Sequence, residues 1–247
     1  MIAVFLKKHF LLTILAVISM ALYLVDYLII GNARDIASSF IGNLAFLPVY
    51  IIFVMVIVEQ IMRERERQAV LRKLNMVIGV FFSEVGNRLL KELTPYVVVC
   101  ENLRRQLHVT GQWKDDDFER ALAYLKSNDP HIDSAGCDIV QLKEFLIAKR
   151  SFLVGLLENQ NLLEHEQFTD LLWAVFHLVE ELEARQSFAA MPKTDSDHIN
   201  GDIKRAFGYL SREWVFYMKH LKKDYPYLFS LAVRLNPMID NPDPQVY

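Results

Sequence analysis

Residues 10–30, FLLTILAVISMALYLVDYLII, decide the fold class of this 247-residue chain. Asp26 is the only charged residue in this run, and a helix of such length spans about 31 Å, the thickness of a bilayer's hydrocarbon core. Residues 40–58, FIGNLAFLPVYIIFVMVIV, form a second apolar run without a charged residue. The two runs predict a transmembrane hairpin with a short connection from Gly31 to Ser39.

A signal peptide is the alternative interpretation of the first run. Lys7 and Lys8 precede it, as basic residues precede the apolar core of a signal peptide. The run is long for such a core, however, and no clean small-residue cleavage site follows it. We therefore predict that the first run remains in the membrane.

The basic residues around the hairpin predict its orientation. Only Arg34 lies in the connection, whereas the other basic residues stand before the first run and after the second. Because cytoplasmic flanks are rich in lysine and arginine, both termini are expected in the cytoplasm, with the hairpin in the plasma or inner membrane. The basic side chains after the second run are predicted to contact the membrane surface: Arg63, Arg65, Arg67, Arg72 and Lys73. Glu64 and Glu66 leave a solvated, mixed-charge helix face as the alternative.

Composition agrees with a protein that is partly in lipid and partly in water. Hydrophobic residues make up 53% of the chain, and its mean hydropathy is +0.17. The net charge of −3 is uneven, because residues 63–73 carry +3 and the residues that follow carry −6. An acidic domain argues against nucleic-acid binding. Cys100 and Cys137 have no metal or disulfide spacing, so free, buried thiols are expected.

We expect an all-α fold in three parts. Residues 1–62 form the hairpin, with helices over about 10–30 and 40–58, and residues 63–94 form a basic collar and a long connecting helix. Residues 95–247 form a cytoplasmic helical bundle with a short C-terminal tail. Residues 74–82 are apolar on nearly every face, so this part of the connecting helix is predicted to be buried all round.

Breaker clusters separate the segments of the bundle, and no run alternates with a period of two. The strongest helical periodicity is an a/d stripe of six residues: Ile203, Phe207, Leu210, Trp214, Tyr217 and Leu221. Further helices are predicted over 96–108, 115–127, 138–160, 164–188, 196–223 and 225–235. The segment Tyr225–Pro237 combines aromatic residues with prolines, which suits either packing across the bundle end or docking of a partner.

Two carboxylates are retained as candidate functional residues. Asp26 is an intramembrane carboxylate, a type that often serves an ion or proton pathway. Tyr23 and Tyr27 beside it favour an interfacial position instead. Glu84 follows the apolar run of the connecting helix, and the alternative to a functional role is a position at the edge of the bundle, either solvated or paired with Arg88 at i,i+4.

His165 and His177 complete the set of candidates. A di-iron bundle needs Glu-x-x-His motifs, whereas this sequence offers only the reversed His177-x-x-Glu180. Twelve residues separate His165 from His177, which places them about 120° apart around a helix, so one helix cannot present both to one ion. We therefore predict no metal site and no cofactor.

The sequence lacks a nucleophile elbow and a phosphate-binding loop. The leading hypothesis is a membrane-anchored, non-enzymatic scaffold, sensor or signalling adaptor that binds a protein partner or a second copy of itself. One alternative is an oligomeric, channel-like membrane effector. The other is a membrane enzyme acting on a lipid or quinone through Glu84, Glu158, His165 and His177.

Overall fold

In the computed structural model, the described residues are 14, 17–29, 33–98, 100–159, 162, 165–239 and 241–246. Every regular element within these ranges is helical, so the all-α prediction is confirmed. The chain divides into two compact units, Met1–Arg67 and Gln68–Tyr247. Residues 63–94, the predicted collar and connecting helix, extend across this division.

The first unit contains helix α1, Val17–Ile29, and the beginning of helix α2, Ala33–Phe81. Since α2 begins before the predicted Phe40, Arg34 lies in its first turn and not in a loop. The rings of Tyr23 and Phe40 meet edge to face with centroids 6.2 Å apart, so the two helices contact each other. Some residues of the predicted first span and its flank lie outside the described part of the chain: Lys7, Lys8, 10–13, 15, 16 and Ile30.

Among the described residues, one helix is long and apolar enough to cross a membrane. It includes part of α2, and its most apolar 18-residue window has a mean hydropathy of 2.5 and no buried residue. The described part of the first run, α1, is apolar but shorter than a span. Arg63, Arg65 and Arg67 are exposed on α2, as is Lys73, whereas the side chain of Arg72 lies outside the description.

The second unit is a helical bundle that begins with the end of α2. A π-helical turn, Phe82–Gly86, and a short 3₁₀ turn, Thr94–Tyr96, flank the next helix. The remaining helices are α3 Asn87–Leu93, α4 Cys100–Gln106, α5 Asp115–Ser127, α6 Ile139–Leu157, α7 Glu166–Ala184, α8 Lys193–Asp224 and α9 Pro226–Arg234.

Helix α8 is the centre of this bundle. It packs against α3, α5, α7 and α9 and against the π-helical turn, while α7 also packs against α6. Five residues of the predicted stripe on α8 are buried and Tyr217 is half-buried, which confirms the stripe as core. An apolar stripe of this kind stabilises a helix by burial against its neighbours.

The end of α2 is buried on one face only. Leu74, Ile78 and Phe81 are in the core, but Met76 is 57% exposed and Val80 51% exposed. The prediction that this run is buried on all sides is therefore wrong. The bundle covers one side of α2, and these two side chains point away from it.

The C-terminal segment folds back on the bundle. Asn236 is fully buried and its Nδ2 donates a hydrogen bond to the carbonyl oxygen of Leu107 at 3.1 Å. Met238 is also buried, beside the hydroxyl of Thr94. Tyr227 remains exposed on α9, so packing explains the end of the Tyr225–Pro237 segment but not all of it.

The π-helical turn brings two phenylalanine rings against a glycine. Phe82 stacks on Tyr217 of α8 with centroids 4.7 Å apart, and Phe81 meets Phe168 of α7 edge to face. A Cβ atom added at Gly86 would lie 2.5 Å from the Phe82 ring and 2.9 Å from the Phe81 ring. These contacts are too close for any residue other than glycine unless the rings move.

Replacing Gly86 with alanine is therefore expected to destabilise the bundle by about 1–3 kcal/mol, the usual cost of overpacking. The matched control is Gly155→Ala on α6, where an added Cβ meets nothing within 4 Å. Alanine there should stabilise by up to about 1 kcal/mol, because glycine is the poorer helix former. Urea unfolding of both variants would measure the difference, and equal effects would refute the steric explanation.

Candidate functional site

Two adjacent helices place four potential metal ligands at one point on the second unit. His177 and Glu181 lie one turn apart on α7, and His198 and Asp202 lie one turn apart on α8. Residues four positions apart share a helix face, so each helix presents one imidazole and one carboxylate together. The four potential ligand atoms all lie within 4.8 Å of one another.

The distances across the cluster are nearly uniform. The Oδ2 atom of Asp202 is 3.5 Å from Nε2 of His177 and 3.4 Å from Nε2 of His198. The carboxylate oxygens of Glu181 are 3.8 Å from Nε2 of His177 and 3.5 Å from Nε2 of His198. These separations exceed the length of a normal N–H···O hydrogen bond.

Asp202 has an unusual environment for a carboxylate. Its side chain is only 2% exposed, and its Oδ1 accepts a hydrogen bond from Nη1 of Arg205 at 2.9 Å. Its Oδ2, the atom that faces both histidines, is buried and has no hydrogen-bond partner among the described residues. An unpaired buried oxygen of an ionised group is costly unless a ligand or ion satisfies it.

Glu181 is held by an arginine. Nη1 of Arg185 donates to its Oε2 at 2.7 Å, and the same guanidinium binds Asp195 at 2.6 Å. The hydrogen bond from Arg185 lowers the pKa of Glu181, and nearby His198 adds to this effect. Glu181 is therefore a carboxylate at neutral pH and able to ligate a cation.

The cluster lies at the edge of the bundle. The side chains of His177 and His198 are 43% and 52% exposed, whereas Asp202 forms the buried end. A small cation could therefore reach the four ligand atoms from solvent.

Only one of the predicted candidates belongs to this cluster, namely His177. His165 precedes α7 and its Nδ1 accepts the backbone N–H of Phe168 at 3.1 Å, so it acts as a helix cap. Burial lowers the pKa of His165 and keeps it neutral at pH 7.

The remaining candidates have different surroundings. Glu84 has a 54% exposed side chain and forms an ion pair with Lys149 at 3.1 Å, whereas Arg88 pairs with Glu92. Glu158 caps the end of α6. Asp26 lines a cavity of about 500 Å³ in the first unit, together with Ile18, Ser19, Leu22, Tyr23, Ser39 and Asn43.

Three members of the cluster were missed by the sequence reasoning: Glu181, His198 and Asp202. Periodicity along one helix cannot show which residues of a second helix lie beside His177. The usable signal was a His-x-x-x-carboxylate spacing that occurs on two consecutive helices. Nothing in that spacing alone shows that the two faces meet.

Cys137 lines a cleft of the second unit, which lies between residues 134–144 and 186–196 and has a volume of about 960 Å³. Both cysteines are free and half-buried, not fully buried as predicted. Burial and the nearby Asp133 raise the pKa of the Cys137 thiol. The thiol is therefore protonated at neutral pH and a poor nucleophile.

A second buried carboxylate lies elsewhere on α8. Glu213 is 3% exposed and borders a cavity of about 40 Å³ that His165 and His220 also line. Its Oε1 has no hydrogen-bond partner in the part of the chain that the structure describes. Burial raises the pKa of Glu213 to about 7, although Arg212 acts in the opposite direction.

Comparison with known sequences shows that two segments of the chain match family models. Residues 70–234 match the family described as MJ1433, C-terminal helical domain, and residues 5–62 match the MJ1433 N-terminal helical domain. The chain belongs to the MJ1433 family. It is 41% identical over 233 residues to the "Uncharacterized protein MJ1433" of Methanocaldococcus jannaschii, and the match covers 94% of each chain.

No solved structure matches this MJ1433-family chain significantly. The family match agrees with the two compact units, because the boundary between its two domains falls close to the division at Arg67. All four residues of the cluster lie within the C-terminal helical domain of the family.

Proposed function

We propose that this protein is a membrane-anchored helical module that acts by binding, as a scaffold, sensor or signalling adaptor. The observation that carries the proposal is the exposed apolar surface of α2. From Phe40 to Val58 its large hydrophobic side chains are all between 40% and 66% exposed. Soluble proteins rarely expose a continuous apolar surface of this size, and a lipid bilayer would cover it.

The pairing of α1 with α2 supports a hairpin as the anchor. Tyr23 and Phe40 are in contact, and polar side chains from both helices line a common cavity. Polar groups that face each other and not the lipid are typical of helices in a membrane. The basic residues from Arg63 to Lys73 would then lie at the cytoplasmic surface, with both termini on that side.

The anchoring proposal is tested by localisation of the full chain. We expect the protein to remain in the membrane pellet after alkaline carbonate extraction, and reporters fused at each terminus to be cytoplasmic. Release into the supernatant would refute anchoring, and reporters on opposite sides would refute the hairpin.

Charged substitutions in α2 test whether this helix is the second membrane span. Arginines at Ile52 and Val56 should prevent insertion of the second span, because each costs about 2.5–3.5 kcal/mol at the centre of a membrane helix. The C-terminal reporter is then expected to lose its cytoplasmic signal. The matched control carries arginines at Met76 and Val80, which have the same spacing on the same helix and are also exposed. The control should behave like the native protein.

The binding role needs its own measurement. Cross-linking and mass photometry of the full chain in detergent should show a dimer, a higher oligomer or a defined complex. A strict monomer that binds no partner would refute a scaffold or adaptor.

One observation favours a second candidate, an oligomeric channel-like assembly. Asp26, Ser19 and Tyr23 of α1 and Ser39 and Asn43 of α2 line the same cavity, which therefore has a polar face from each helix. Several hairpins could place such groups along one pathway. Ion flux into liposomes that contain the purified protein would support this role, and tight liposomes under all conditions would exclude it.

A further inference from the structure

We propose that His177, Glu181, His198 and Asp202 form a binding site for one divalent transition-metal ion, with zinc as the best-fitting member of the class. The inference concerns the second unit alone. It therefore holds whether or not the first unit lies in a membrane.

The geometry of the cluster fits a tetrahedral ion. Four ligand atoms at about 2.1 Å from a central ion are separated from one another by about 3.4 Å. Oδ2 of Asp202 lies 3.5 Å and 3.4 Å from the two histidines, whereas Glu181 faces His177 with Oε1 at 3.8 Å and His198 with Oε2 at 3.5 Å. With one oxygen taken from each carboxylate, the four ligand atoms all lie within 4.8 Å of one another. Only small side-chain movements would bring all four atoms to one ion.

The ligand types narrow the class of ion. Two imidazole nitrogens and two carboxylate oxygens suit zinc and its neighbours in the first transition series, whereas calcium and magnesium prefer oxygen ligands alone. Four protein ligands would complete a tetrahedral shell, an arrangement found in structural zinc sites and not in catalytic sites that keep an open position.

The unpaired oxygen of Asp202 supports the metal site independently of the ligand distances. This carboxylate is almost completely buried, and its Oδ2 faces the cluster without a hydrogen bond from any described residue. A neutral histidine can donate one ring N–H, but the separations of 3.5 Å and 3.4 Å to His177 and His198 are longer than a normal N–H···O hydrogen bond. A metal ion would satisfy it with both imidazoles neutral.

Two arginines orient the carboxylates of Glu181 and Asp202 and limit the affinity of the site for a metal ion. Arg185 binds Oε2 of Glu181, and Arg205 binds Oδ1 of Asp202. Metal-ligating carboxylates commonly have such partners, which fix their orientation. The positive charges also offset the two carboxylates, so we expect dissociation constants in the micromolar range and not those of thiolate-rich sites.

A bound ion would link α7 to α8 beside the loop that joins them. Since His177 and Glu181 come from one helix and His198 and Asp202 from the next, the ion would stabilise the native packing of both. At a free zinc concentration about 100 times the dissociation constant, the melting temperature of a domain this size should rise by about 5–10 °C.

The test uses the full chain purified in detergent, stripped with a chelator and titrated with zinc chloride. One zinc ion per chain is expected by equilibrium dialysis and elemental analysis. His198→Ala and Asp202→Asn should each weaken binding at least about 10-fold, because loss of an outer-shell partner alone costs 10- to 100-fold. His108→Ala is the matched control and should leave binding unchanged, because this exposed histidine lies three residues before Gly111, whose carbonyl contacts Lys222 at the opposite end of α8 from the cluster.

Spectroscopy then tests the coordination. Cobalt in place of zinc should give the intense visible absorption of a tetrahedral ion, and this signal should be lost in His177→Ala. Absence of saturable zinc binding would overturn the proposal, because the four residues would then form only histidine–carboxylate contacts. Stoichiometric zinc that the cluster variants do not affect would place the ion elsewhere and overturn it as well. An octahedral cobalt spectrum would overturn the four-ligand arrangement.

Discussion

Glutamine in place of Glu213 is expected to gain about 3 kcal/mol of stability relative to the native protein as the pH rises from 4 to 8. In the folded protein, burial raises the pKa of Glu213 to about 7 from an ordinary value of 4.5. Between pH 4.5 and about 7 the carboxyl group of Glu213 loses its proton in the unfolded chain and keeps it in the folded chain. Native stability therefore falls over this window, at about 1.4 kcal/mol for each unit of pKa difference, and is constant above it.

Glutamine cannot ionise, so the variant should lack this loss. Any cost of a buried amide is the same at every pH, and the pH dependence of the difference isolates the effect of ionisation. His165 and His220 border the same cavity, and His165 is neutral at pH 7 because burial lowers its pKa.

Urea unfolding at several pH values, followed by tryptophan fluorescence, would measure the effect. All three tryptophans lie in the second unit, so the signal reports on the bundle. Glu180→Gln on the exposed side of α7 is the control and should change little at any pH. A constant difference between native protein and E213Q from pH 4 to 8 would show that Glu213 titrates like an exposed carboxylate.

Truncation of Trp214 to alanine is expected to cause a large loss of stability in the bundle. Trp214 is 1% exposed and lies at the centre of the apolar stripe on α8, the helix that packs against most of the other helices. Loss of a buried tryptophan side chain costs about 3–5 kcal/mol through lost burial and the cavity left behind. Natural domains have only about 5–15 kcal/mol in total.

Trp173→Ala provides the matched control. The residue type and the truncation are the same, but Trp173 is 57% exposed on α7 and touches Phe176 at the surface. We expect a loss below about 1 kcal/mol. Unfolding curves for both variants, followed through the two remaining tryptophans, would test this contrast. Equal losses would mean that the stripe on α8 does not form the core in solution.

Helical elements were largely predictable because they depend on neighbours along the chain. The prediction of a helix over 115–127 matches α5, and the stripe from Ile203 to Leu221 was correctly assigned to the core. A period of 3.6 residues and the breaker clusters are both local signals. The same signals failed for residues 74–82, since an apolar sequence does not reveal which side of a helix the bundle covers.

The candidate metal site required the tertiary structure. His177 could be named from the sequence, but its partners on α8 follow only from the packing of α7 against α8. Burial of Asp202 and Glu213 depends in the same way on contacts between helices that are distant along the chain. Sequence by itself therefore determined where helices form and which runs are apolar. The tertiary structure alone decided which helix faces meet, because this depends on the shapes of the packed surfaces and not on local periodicity.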